Sequence, residues 1–120
     1  FLQRFPGQLS GGQQQRVAIA RALSLNPKLL ICDESVSMLD AEIQAEVLTL
    51  LSSLQKQLGL AILFITHDLT VASGFCHRIA VLDKGKIIES GPAADLFDKP
   101  QSPLTQRLVA SCPRIKLLNN

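Results

Sequence analysis

Two short apolar runs, Leu29-Leu30-Ile31-Cys32 and Leu60 to Ile65, bracket one long amphipathic stretch, and this order restricts the fold more than any other feature of the chain. Each run has the length of a buried strand, and the second is rich in β-branched and aliphatic residues. Pro27 breaks the pattern before the first run. Between the runs, Asp40 suits a helix N-cap and Glu42 the first helical turn. Ile43, Val47, Leu50, Leu51, Leu54 and Leu58 then fall on one face at helical spacing, and Gly59 supplies a stop. Strand, helix and strand in this order predict parallel strands near Leu29 and Ile62 flanked by helices, an α/β arrangement. Both runs would deliver polar residues to the same sheet edge: Asp33-Glu34 from the first, Thr66-His67-Asp68 from the second.

That edge is where open α/β sheets place ligands. Two adjacent carboxylates at a buried strand end are costly unless something cationic needs them. An Asp there can hold Mg²⁺ directly or through water, and a neighbouring Glu can polarise water for attack on a phosphoryl group. A lone apolar run ending in Asp-Glu also fits two solvated acids, and a lone His at a strand end also fits a surface or core residue. Upstream, Leu9-Ser10-Gly11-Gly12-Gln13 opens a stretch, Gln13 to Leu25, that reads as a helix. Two glycines let backbone approach a ligand without Cβ obstruction, and Ser10 offers a hydroxyl and a helix cap. Unpaired amides at the positive end of the helix dipole favour phosphate. Ser-Gly-Gly by itself also suits a loop that only caps a helix.

The five residues Leu9 to Gln13 are identical to the signature of ATP-binding cassette (ABC) ATPases. Asp33-Glu34, Ser37-Met38-Leu39-Asp40 and Thr66-His67 follow in the order of the Walker B, D-loop and H-loop motifs, so the chain resembles an ABC nucleotide-binding domain. The resemblance implies the C-terminal part of a P-loop NTPase (ABC ATPase) domain, α/β, with a mainly parallel sheet flanked by helices. A small C-terminal hairpin and helical tail would complete it. It implies that Ser10, Gly11, Gly12 and Gln13 touch the γ-phosphate of ATP held by the opposite subunit. Asp33 would be the Mg²⁺ residue and Glu34 the general base. Asp40 would link the two active sites, and His67 would contact the γ-phosphate and sense its loss. Implied partners are a second nucleotide-binding subunit, transmembrane permease subunits and, indirectly, a substrate-binding protein. The implied place is the cytoplasmic face of the membrane, peripherally bound.

The chain departs from the family pattern at Ser35, where Pro is common, and at Met38, where Ala is common. No Gly-x-x-x-x-Gly-Lys-Ser/Thr occurs in the 120 residues, and the first residue is Phe1. The expectation is therefore the C-terminal half of a longer domain, with ATPase activity in the parent protein and none in this chain alone.

Ile79 to Leu82 and Lys86 to Ile88 read as strands joined at Lys84-Gly85, before Glu89-Ser90-Gly91-Pro92 and a short helix Ala93 to Phe97. A hairpin followed by Glu-x-Gly-Pro is similar to the close of ABC importer domains. Pro100 to Thr105 partly matches the Pro-x-His-Pro-Tyr-Thr tail of the oligopeptide, dipeptide and nickel importers, with Ser102 and Leu104 replacing His and Tyr. Residues 1–98 are thus expected to be nucleotide-binding domain and 99–120 tail. DNA-repair and translation ABC ATPases, and an inactive truncated product, stay as alternatives.

Composition bears on partners. A net charge of +2 gives no nucleic-acid signal. The apolar runs reach about six residues, against the ~20 needed to span a bilayer. Cys32, Cys76 and Cys112 follow no metal or redox spacing and read as inert thiols of a reducing compartment.

Overall fold

A computed structural model of the protein describes residues 11–34, 36 and 39–112, which form two compact units divided between Ile65 and Thr66.

The first unit holds α1 (Gly11–Leu23), β1 (Leu29–Asp33), α2 (Ala41–Leu58) and β2 (Ala61–Ile65). β1 and β2 pair in parallel, Leu29 opposite Ala61 through Asp33 opposite Ile65. Parallel neighbours need a crossover, and α2 supplies it. Its ends are chemically specified. The Asp40 side chain accepts from the Ile43 amide at 3.0 Å, satisfying a donor that the first turn leaves orphaned. At the other end Gly59 adopts φ +63°, and the Gly59 and Leu60 amides both donate to Gln55 O. Val47 and Leu51 are fully buried, whereas Leu58 is 59% exposed, so the apolar stripe does its packing in its middle turns.

α1 begins and ends two residues earlier than the expected Gln13 to Leu25. Asn26 lies in the left-handed region at φ +54° immediately before Pro27. A residue preceding proline is barred sterically from helical backbone, so the helix must close before it.

The strands also differ from expectation. Each was expected to be buried, yet β1 buries only Leu30 and Cys32, while Leu29 and Ile31 are more than half exposed. On β2 Leu63 and Ile65 are likewise 51% and 44% exposed. The alternation is that of a sheet with one covered face.

The second unit holds α3 (Leu69–Phe75), β3 (Arg78–Asp83), β4 (Lys86–Pro92), α4 (Ala93–Asp98) and α5 (Pro103–Ala110). β3 and β4 form an antiparallel hairpin closed by Lys84 and Gly85, both at positive φ (51° and 79°). Two consecutive left-handed residues match the right-handed twist of the flanking strands. A bulge at Val81/Leu82 shifts the register, so that Val81 faces Glu89 while Leu82 faces Ile87. β4 runs on through Glu89-Ser90-Gly91-Pro92 because Ile79 and Arg78 pair with Gly91 and Pro92. The described strands make one parallel pair, β1–β2, and one antiparallel hairpin, β3–β4, as expected for parallel strands near Leu29 and Ile62 with a small hairpin after them.

Leu69, Ala72, Ile79, Val81, Ala93, Leu96 and Cys112 form the core of this unit, and Leu104, Leu108 and Val109 of the tail helix pack against it. The tail is fastened at its start. Glu89 accepts the Gln101 and Ser102 amides, each at 2.9 Å, and Ser102 caps α5 through the Thr105 amide at 3.1 Å. The Ser102 and Gln101 N–H groups hold the Glu89 carboxyl below the usual carboxylate range. Thr105, wholly buried, shares a 2.6 Å hydroxyl contact with Ser102.

Among the described residues no helix is long and apolar enough to cross a membrane.

Candidate functional site

The end of β1 carries the two adjacent carboxylates. Asp33 is the last ladder residue, opposite Ile65, and its side chain is exposed. Glu34 follows at φ +51°, in the left-handed region that a residue with a Cβ rarely occupies. It is held there by its own amide, which donates to Ile65 O at 2.7 Å. That bond extends the β1–β2 pairing one residue past the ladder while the chain turns out of the strand. Strained backbone over-determined by its surroundings is a recurrent mark of functional positions.

A groove of about 440 Å³ adjoins this edge, lined among others by Gly11, Gln14, Cys32, Asp33, Glu34 and Leu39. The start of α1 and the end of β1 thus share one concavity within the first unit. Gly11 and Gly12 open α1 in helical conformation. Their lack of side chains has a packing reason that the sequence did not disclose. A Cβ on Gly11 would stand 2.8 Å from Leu39 Cδ2, and one on Gly12 would stand 2.5 Å from Ile43 Cγ2. One turn further along, Arg16 Nη2 pairs with Glu46 Oε2 at 3.1 Å, both side chains about half exposed.

Asp40 sits at the N-cap of α2, exposed, with its carboxylate engaged by the Ile43 amide. Gln13 lies in the first turns of α1. Ser10 lies outside the described residues, as do Ser35, Ser37 and Met38. His67 belongs to the second unit and is exposed. Its neighbours build a helix start: Thr66 Oγ1 accepts the Asp68 amide at 3.0 Å, and Asp68 accepts the Thr70 and Val71 amides at 2.9 and 3.4 Å.

Asp33 and Glu34 suit Mg²⁺ chemically. Mg²⁺ keeps most of its waters and takes one or two carboxylates together with substrate phosphates, so a closed protein cage is not required. No group of three or more acidic, His or Cys side chains fit to hold a metal occurs among the described residues. An ion here would depend on oxygens from its nucleotide. The N-terminus of α1, with no Cβ at its first two positions, suits a phosphate in the same way.

Comparison with known proteins follows the same residues. The sequence profile of the ABC transporter family matches residues 1–37, which take in the signature and both carboxylates. A Brucella abortus protein bearing the name of a peptide import ATP-binding protein is 51% identical over 116 residues, 97% of this chain. The chain is similar to ABC transporter ATP-binding proteins. The glutathione import ATP-binding protein GsiA of Pectobacterium atrosepticum is also 51% identical, over 92% of the chain, and that of Salmonella typhimurium 48% over the same share. The ABC-transporter likeness thus runs well beyond the profile match, through the hairpin and the tail helix. The chain spans 35% of the Brucella protein and 18% of each GsiA protein.

Sequence reasoning placed Ile43 on the apolar face of α2 and Leu39 in the D-loop run, but not their closeness to Gly12 and Gly11, which no local pattern records. It placed Glu89 after the hairpin but not its hold on the Gln101 and Ser102 amides, which lie twelve and thirteen residues away.

Proposed function

We propose that this chain forms the signature and carboxylate portion of the ATP-hydrolysing subunit of an ABC importer, with peptides or nickel-type substrates as cargo. The observation that carries the reading is Glu34, set at φ +51° one residue after Asp33 at the carboxyl edge of a parallel strand pair. The likeness to peptide and glutathione import ATP-binding proteins supports the importer assignment.

In this reading Asp33 helps to hold Mg²⁺ beside the phosphates of ATP. When bound, the ion supplies charge neutralisation on the transferring phosphoryl group. Glu34 accepts a proton from the attacking water and orients it. Gly11, Gly12 and Gln13, with Ser10, present helix-start donors to the γ-phosphate of ATP carried by a second nucleotide-binding subunit. Asp40 links the two active sites across the dimer, and His67 contacts the γ-phosphate and senses its loss. The phosphate cradle with its lysine would come from polypeptide outside these 120 residues. Permease subunits would take up the resulting motion, a substrate-binding protein would feed them, and the subunit would lie peripherally on the cytoplasmic face of the membrane.

The test is Glu34→Gln in the whole subunit. Gln keeps size and hydrogen bonding but cannot take the proton, so turnover falls by roughly 10²–10⁴. ATP-dependent dimers should then accumulate on size-exclusion chromatography. Turnover above about a tenth of normal contradicts the base assignment.

A further inference from the structure

Gly12, in the signature, lies against Ile43, in the first turn of α2 just after the D-loop. Ile43 Cγ2 occupies the space that a Cβ on Gly12 would need, at 2.5 Å. The Ile43 backbone is itself fixed, because its amide donates to Asp40 Oδ1 at 3.0 Å. Its side chain has little freedom either: a β-branched residue inside a helix keeps essentially one χ1 rotamer. Asp40, Ile43 and Gly12 therefore form a rigid succession from the cap of α2 to the first turn of α1. Gly11 is different. Its near neighbour is Leu39 Cδ2, the far end of an unbranched-at-Cβ side chain outside the helix, which can rotate away. The Arg16–Glu46 pair closes the two helices one turn further along.

We propose that Ile43 is a positioning residue, which holds the amides at the start of α1 at a fixed placement relative to Asp40 by seating on Gly12. The two turns then meet a nucleotide on a partner subunit as one block. This rests on the reading of Gly11–Gln13 and Asp40 given above. On that reading the partner's cradle binds ATP first, so loss of the block slows the step after binding and leaves ATP affinity in place.

The experiment is a mutant cycle with two readouts. Thermal unfolding is measured for wild type, Gly12→Ala, Ile43→Ala, the double variant, and Gly11→Ala. Gly12→Ala should lower Tm by several degrees in the wild-type background, as overpacking does, and leave it unchanged in the Ile43→Ala background. Gly11→Ala should cost little. An equal Gly12→Ala penalty in both backgrounds overturns the contact. The second readout is steady-state ATPase of the whole subunit, below the Tm of every variant. Ile43→Ala should lower kcat between about 10- and 100-fold at unchanged KM for ATP. Ile43→Val, which keeps Cγ2, should hold kcat near wild type. A kcat for Ile43→Ala equal to wild type overturns the positioning role, since a purely structural residue would move Tm alone. An inactive wild-type subunit would instead overturn the ATPase reading, and the unfolding cycle would still decide the contact.

Discussion

Glu34 makes two demands on the chain that can be separated by substitution. On the proposed function its carboxylate takes a proton from water, while its backbone at φ +51° carries a steric cost set by the Cβ. The left-handed conformation costs about 1–2 kcal/mol for a residue with a Cβ and almost nothing for glycine. Glu34→Ala and Glu34→Gly both delete the carboxylate and whatever it contacts. The difference between them isolates the backbone, because the Glu34 amide still donates to Ile65 O and holds the turn. Glycine loses part of its advantage to the greater entropy of the unfolded chain, leaving an expected difference of about 1 kcal/mol in its favour. For a domain near this size that corresponds to roughly 4 °C in Tm. Thermal unfolding of the 120-residue chain, followed by circular dichroism, reads this directly. Both variants should be inactive in the whole subunit. A glycine variant more stable than alanine yet equally inactive is the pattern of a residue kept for function against stability. A Glu34→Ala chain melting at or above Glu34→Gly would refute strain at this position.

Asp40→Ala removes the cap on the Ile43 amide and should destabilise by about 1 kcal/mol, measured by urea unfolding, with Asp40→Asn retaining most of the cap. Leu51→Ala, at a fully buried site, should cost about 2–5 kcal/mol, whereas Leu58→Ala, 59% exposed, should cost under about 0.5 kcal/mol in the same assay. The Glu89 carboxyl is lowered by the Ser102 and Gln101 amides, so its stabilisation is complete above the unfolded-chain carboxylate pKa and is lost as pH falls through the lower folded value. The protection factors of the Gln101 and Ser102 amides, corrected for the intrinsic exchange rate at each pH, should fall across that acidic window, and Glu89→Gln should lower them at neutral pH and abolish the dependence. Ile31→Lys with Leu63→Lys, on the exposed face of the parallel pair, should reduce self-association of the 120-residue chain by light scattering, and unchanged association would show that this face is not what drives it.

Where the chain's local chemistry decides the outcome, the sequence was legible. Asp40 and Gly59 bound α2 because a cap acceptor and a left-handed stop are one-residue properties. Lys84-Gly85 closes the hairpin for the same reason. The parallel pairing followed from two apolar runs and the helix between them. What stayed hidden depends on distant neighbours or competing local signals. α3 is only seven residues long, and Asp68, its cap, was read within Thr66-His67-Asp68 as part of a sheet-edge triplet. β4 continues through Gly91 and Pro92 because β3 offers it partners, although Gly-Pro alone signals a break. β1 and β2 look buried in sequence because Leu29 to Cys32 and Ala61 to Ile65 are apolar throughout, but burial is set by what covers each face.

The glycines of the signature sharpen the point. Read alone, Gly11-Gly12 signified backbone laid open to a phosphate. The structure adds a second requirement, since Ile43 leaves no room for a side chain on Gly12. The two requirements do not compete: a Cβ-free turn can meet a phosphate on one side and a helix on the other. They do predict different patterns of substitution. A need to approach a ligand is blind to residue 43, whereas a packing need relaxes when residue 43 shrinks. A partial restoration of turnover in the Gly12→Ala/Ile43→Ala subunit would thus measure how much of the glycine's value lies in seating the helix, and the shortfall from the Ile43→Ala rate would measure what the ligand itself requires.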